Sequence, residues 1–114
     1  MELSREQFRN QARILKALSH EARLLIVHRL HAGECSAGEL TALVGLDQST
    51  VSKHLAMLRG LGIVEDRRKG SSVIYRLCTP CVVSFFACAS QVLAERCRGE
   101  SVNSTQVRAP AMGR

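Results

Sequence analysis

Apolar residues recur at helical spacing along most of this chain and switch to strand-like alternation in one short stretch, and that switch predicts the architecture. In SAGELTALVG, Ser36 and Glu39 form an S-x-x-E capping box, an apolar stripe of Leu40, Leu43 and Val44 follows, and Gly45 sits where a helix would stop. After the turn Gly45-Leu46-Asp47, Asp47 is placed to N-cap a second helix beginning at Gln48. That helix repeats Val51, Leu55 and Leu58 on one face, while Gln48, Ser49, Thr50, Ser52, Lys53 and His54 give its leading end short polar groups. Gly62 ends it. IVEDRR and SSVIYRL then alternate as paired strands around the turn Lys69-Gly70-Ser71.

The flanking segments read as further helices. Ser4 and Gln7 make another capping box, with Phe8, Ala12 and Leu15 on one face of the first helix and Arg5, Arg9 and Arg13 in a stripe beside them. Ser19 is expected to cap a helix over HEARLLIVHRL, with Leu24, Val27 and Leu30 facing the core. Thr79 and Pro80 suit the N-cap and first position of a last helix running to about Arg96. Its stretch CVVSFFACASQVL is apolar nearly all round, more than one small domain needs to cover a single face. A partner copy is therefore expected to bury the remainder, giving a homodimer through the first and last helices. From residue 98 to 114 no period survives, and a disordered tail is expected.

Two helices joined by a tight turn, the second with a polar leading end, form the helix-turn-helix pattern that reads double-stranded DNA. Between Gln48 and Arg76 there are six Lys or Arg against two acids, and Arg67, Arg68 and Lys69 crowd the hairpin tip. Excess charge thus falls where phosphates would be met, and the hairpin reads as a wing. The expected fold is mainly α with a small β-hairpin: a winged helix-turn-helix of five helices and one wing. Residues 1–97 would form the DNA-binding and dimerisation domain. The expected DNA-contacting set is Gln48, Ser49, Thr50, Ser52, Lys53, His54, Arg67, Arg68 and Lys69.

Composition narrows the picture. A hydrophobic fraction of 46% excludes wholesale disorder, and a net charge of +6 with a pI near 9.6 suits a polyanionic partner. Glu2, Arg5 and Glu6 interrupt any secretory apolar run, and no stretch is long enough to span a bilayer, so a cytoplasmic protein is expected, with no membrane partner. In that compartment five cysteines are not a disulfide framework.

The runs ALSHEARLLIVHRL, GECSAGEL and LDQSTVSKHLAMLRGLGIVEDRRKGSSVIYRL resemble, in order, the ArsR/SmtB family of metalloregulatory winged-helix repressors. The resemblance covers roughly residues 10 to 95. It implies a dimer that binds a palindromic operator and lets go when a toxic metal ion or metalloid binds. Many arsenic-responsive members carry a C-V-C-D-L or C-V-C-E-L box in the first helix of the reading unit. Here the equivalent stretch is Ser36 to Leu40, without either box cysteine and with only Cys35 adjacent.

The thiols lie instead in CTPCVVSFFAC, which is similar to a subgroup with P-C-x-x-x-F-F-x-C at this place. That likeness implies arsenite as the inducer, with Cys81 and Cys88 as metal ligands; Cys78 is the preferred third sulfur and Cys35 a less favoured one. Cys81 and Cys88 share a helical face but stand about 10 Å apart along the axis, too far to hold one ion within a straight helix. Two sulfurs on one ion lie less than about 5 Å apart, given bonds of about 2.3 Å. Cys81 could pair with Cys78, and Cys88 could join from another subunit. Cys81 also falls in the first helical turn, where the helix dipole favours negative charge. Without nearby histidine or carboxylate ligands, three sulfurs suit arsenite or antimonite better than zinc. His28 and His31, three apart, read as rim residues, and Cys97 as a packing residue on the face opposite Cys88.

Two rival chemistries use the same cysteines. Cys78-Thr79-Pro80-Cys81 is a C-x-P-C at a strand-to-helix junction, as in thioredoxin-like oxidoreductases, but that fold needs βαβ units and the sequence holds none, so no enzyme is expected. A winged-helix repressor whose thiols sense oxidants or persulfides is the alternative that sequence leaves open.

Overall fold

The computed structural model describes residues 2–97, so the expected tail at 98–114 lies outside the described residues. In chain order the elements are α1 (Arg5–Leu18), α2 (Glu21–His31), β1 (Cys35–Ser36), α3 (Ala37–Val44), α4 (Gln48–Gly60), β2 (Val64–Lys69), β3 (Ser72–Leu77) and α5 (Cys81–Cys97). The chain divides into two units, one ending at Thr79 and one starting at Pro80. The five helices and the wing match the expected fold class.

The first unit is built around α2. Ile26 and Val27 are fully buried and Leu30 nearly so. They share a core with Leu18 of α1, Leu40 of α3, Val51, Leu55 and Leu58 of α4, and Ile63, Val64 and Leu77 around the sheet. Burying each such side chain contributes about 1.5–3 kcal/mol. Leu24, expected in the core, is only half-buried, because Ile26 takes the central position of that helix.

Caps set the boundaries. Both capping boxes form: the Ser4 hydroxyl accepts from Gln7 N, the Ser36 hydroxyl accepts from Glu39 N, and each partner side chain accepts the cap's own N–H in return. The cap of α2 is displaced by one residue from expectation. Ser19 closes α1 instead, its hydroxyl donating to Lys16 O at 2.7 Å, and His20 Nδ1 accepts from Ala22 N at 3.0 Å. Gly45 ends α3 at φ 79°, a left-handed conformation that Cβ-bearing residues rarely adopt, and this frees the chain to turn into α4.

The sheet is antiparallel with order β1-β3-β2, so β3 is its middle strand. The hairpin pairs Lys69 with Ser72 across the two residues Gly70 and Ser71. Only Gly70 has positive φ there, 64°, which is the signature of a type II′ turn. The third strand, Cys35–Ser36 against Tyr75 and Ile74, was not expected from sequence.

In the second unit, α5 begins at Cys81, one residue later than expected. The Thr79 hydroxyl has no hydrogen-bond partner among the described residues, so it is not the anticipated cap. None of the seventeen residues of α5 is buried, and Phe85 (56%) and Leu93 (63%) are the most exposed of its large apolar side chains. The Phe85 and Phe86 rings meet edge to face at 5.1 Å. Among the described residues no helix is long and apolar enough to cross a membrane.

Candidate nucleic-acid interface

The leading turn of α4 is organised by Asp47. One carboxylate oxygen accepts from Thr50 N at 3.1 Å and from the Ser49 hydroxyl, and the other accepts from the Thr50 hydroxyl at 2.7 Å. These hydrogen bonds to its charged form hold the Asp47 carboxyl down at about 2. Ser49 and Thr50 therefore have their hydroxyl protons committed to the cap and retain only acceptor capacity outward. Gln48, Ser52 and Lys53 are exposed, and none of their side chains is hydrogen-bonded within the described residues.

His54 corrects the expected DNA-contacting set. It is the one buried polar side chain of the described core, 8% exposed. Its Nδ1 accepts from Arg23 Nε at 3.0 Å, and its ring packs on that of His20 at 4.4 Å. Arg23 also donates to Ala17 O at 3.0 Å, so α1, α2 and α4 are tied at one point. Burial first, then the charges of His20 and Arg23, lower the His54 pKa and keep the ring neutral. His54 follows the buried Val51 by three positions and precedes the buried Leu58 by four, which puts it on the core side of α4.

The wing presents its cations unequally. Arg67 is paired with Glu34 at 2.9 Å, and Arg76 is paired with Glu65 across the hairpin. Arg59, at the end of α4, is paired with Asp66 at 2.9 Å. Arg68 and Lys69 are exposed and in no ion pair among the described residues. From sequence alone Arg67, Arg68 and Lys69 are equivalent. Glu34, just before β1, is the partner that sequence does not reveal, because nothing in spacing shows which strand a loop carboxylate will meet.

The cysteines differ in environment. Cys35 is 3% exposed, and burial pushes its thiol up, with a nearby Glu39 carboxylate opposing the help of Arg29. It therefore resists forming the thiolate that a soft ion needs. Cys78 is half-buried at the end of the first unit. In α5, Cys81 is exposed, Cys88 half-buried and Cys97 exposed. His28 Nδ1 lies 2.8 Å from Leu24 O, and His31 is exposed. Among the described residues of a single chain, no three ligand-type side chains lie close enough to hold one ion.

Residues 20–66 match the model of the bacterial regulatory protein, arsR family. A biofilm growth-associated repressor of Xylella fastidiosa is 48% identical over 66 residues, 58% of each chain, so the protein spans little more than half the length of that relative. An HTH-type transcriptional regulator of Mycobacterium tuberculosis is 38% identical over 88 residues, 76% of this chain and 77% of the relative. Its crystal structure superposes with a TM-score of 0.73 at 35% identity, covering 84% of this chain and 97% of that one. A homodimeric winged helix-turn-helix DNA-binding domain from Mycobacterium bovis gives a TM-score of 0.72 at 29% identity, covering 90% of this chain and 96% of that one. With that agreement in sequence and in fold, the protein belongs to the arsR family of bacterial regulatory proteins.

Proposed function

We propose that the protein is a cytoplasmic transcriptional repressor that binds double-stranded operator DNA as a homodimer and is released by a thiophilic metalloid, arsenite first. The observation that carries the DNA half is the open leading face of α4 beside Arg68 and Lys69, which form no ion pair among the described residues. Gln48, Ser52 and Lys53 donate to base edges in the major groove, Ser49 and Thr50 accept there, and the two wing cations meet phosphates. Residues 1–97 supply both DNA binding and dimerisation. The dimer joins through α1 and α5, in keeping with the exposure of Phe8, Leu15, Phe85 and Leu93. A homodimeric relative in Mycobacterium bovis supports that assembly.

The inducer half rests on the exposed Cys81 thiol, with Cys88 on the same helix. Cys78 is the preferred third ligand. Cys35 falls behind it because burial favours its protonated form. Cys81 and Cys88 stand about 10 Å apart along one helix, too far to share an ion within a straight helix, so Cys88 joins the site from the other subunit. Three soft sulfurs match arsenite in number and character. Occupancy would change the packing of α5 and so the separation of the two reading helices, which must meet half-sites about 34 Å apart. A coupling of about 1–3 kcal/mol is typical of such switches, and clean release needs roughly the upper end or more.

The test uses operator DNA selected from a random duplex pool. Cys81→Ser and Cys88→Ser should bind it like the parent yet ignore arsenite, while Cys97→Ser should respond like the parent. Release of both variants at parental arsenite concentrations would remove the metalloid from the mechanism. Loss of an oxidant response in its place would make the thiols a redox or persulfide switch.

A further inference from the structure

The first unit contains a cleft of about 490 Å³ that neither the DNA-reading face nor the cysteines use. Arg13 and Lys16 of α1 and His20 and Arg23 at the start of α2 line it, facing Met57 and Leu61 from the far end of α4. No carboxylate lines the cleft, and among the described residues none of its three permanent cations has an ion-pair partner. Arg13 has only an amide oxygen, Asn10 Oδ1 at 3.3 Å, and Arg23 a carbonyl and the His54 ring. Like charges converging on one cavity repel, and an anion seated among them relieves the repulsion. The opposite wall is apolar: Met57 is 46% exposed and Leu61 half-buried.

We propose that this cleft binds a small amphipathic organic anion, its carboxylate against Arg13, Lys16 and Arg23 and its hydrocarbon body against Met57 and Leu61. The volume lies within the range of about 300–1,000 Å³ usual for small-molecule sites. A bare inorganic anion would leave the Met57 and Leu61 wall in water, and a DNA backbone offers no apolar body to cover it. The cleft also touches the reading helix directly. His20 packs on His54 and Arg23 donates to it, so a carboxylate that draws the Arg23 guanidinium toward itself loosens the tie between α2 and α4. Occupancy therefore weakens operator binding without involving any thiol. The regulatory step rests on the operator binding proposed above, whereas the binding step does not.

The experiment uses the full-length protein labelled at methionine methyl carbons, with Met57 assigned through Met57→Leu and octanoate as the probe. Octanoate should shift the Met57 methyl resonance saturably, and 1-octanol at the same concentrations should not. Arg13→Glu with Lys16→Glu should weaken binding ten-fold or more. If that pair fails to fold, Arg13→Gln with Lys16→Gln serves with the same readout. An absent or unsaturable shift, an equal response to octanol, or unchanged binding in the charge variants would overturn the site. So would a variant that loses operator affinity and salt dependence while the parent shows no octanoate response, since the cations would then belong to the DNA backbone. Octanoate should lower operator affinity about five-fold or more, in Cys81→Ser as in the parent. Octanoate binding with unchanged operator affinity would overturn the coupling.

Discussion

At the scale of single residues, His54 shows how far a one-dimensional reading reaches. The spacing of Val51, Leu55 and Leu58 is visible in sequence, and all three are buried as it requires. His54 follows Val51 by three positions and so belongs to the same face, yet its polarity suggested the DNA side. What hides it is its partner: Arg23 lies thirty-one positions away, and only the folded chain brings the guanidinium to the ring. Because an arginine Nε can only donate, the contact requires a bare Nδ1 and hence a neutral histidine. The folded-state pKa lies below the ordinary 6.5, so the unfolded chain takes up the proton first. Stability should be full above pH 6.5 and fall as the pH drops below it, toward the folded value. Thermal melts from pH 7.5 to 5 should show that slope, and His54→Gln, which keeps an acceptor, should remove most of it. His54→Leu should cost about 1–3 kcal/mol at neutral pH, since Arg23 loses its acceptor. A parental pH slope in His54→Gln would assign the effect to the other histidines.

At the scale of elements, periodicity was legible wherever an element was long enough to repeat, whereas the expected caps of α2 and α5 were not the ones that form. The helices α3 and α4 appear with the expected caps at Ser36 and Asp47. β1 was not legible, because two residues cannot alternate, and the shift from Ser19 to His20 at the start of α2 rests on side-chain geometry that spacing does not encode. The wing shows the same limit. Its basic character is plain in sequence, but the ion pair with Glu34 divides Arg67 from its neighbours. Arg68→Ala and Lys69→Ala should each weaken binding to all duplexes alike and flatten the salt slope by about one unit. Arg67→Ala should change the slope less, because its charge is already balanced. Equal slope changes for Arg67→Ala and Arg68→Ala, measured by titrating DNA at several salt concentrations, would show that DNA displaces Glu34.

At the scale of the whole molecule, the apolar excess of the last helix was legible, and none of its residues is buried in a single chain. Replacing Phe85 and Phe86 together with glutamate should dissociate the proposed dimer and abolish tight operator binding, because one half-site contributes too little. Sedimentation of that variant as a dimer would move the interface elsewhere. Of the proposed ion site the sequence shows only the thiols Cys78, Cys81 and Cys88, because sulfurs drawn from separate subunits would leave no spacing to read. The strand order carries one more consequence. Ser36 is at once the last residue of β1, the cap of α3 and the partner of Ile74, so the root of the wing is welded to the reading unit while its tip at Gly70 hangs free. The hairpin should behave as a spring clamped at one end. Amide exchange should be slow at Tyr75 and Leu77 and quicken steadily toward Lys69 and Ser72. Such a spring lets the terminal cations follow grooves of different width while the clamped end keeps the reading helix on register, so the wing could tolerate flanking sequences that the helix never touches.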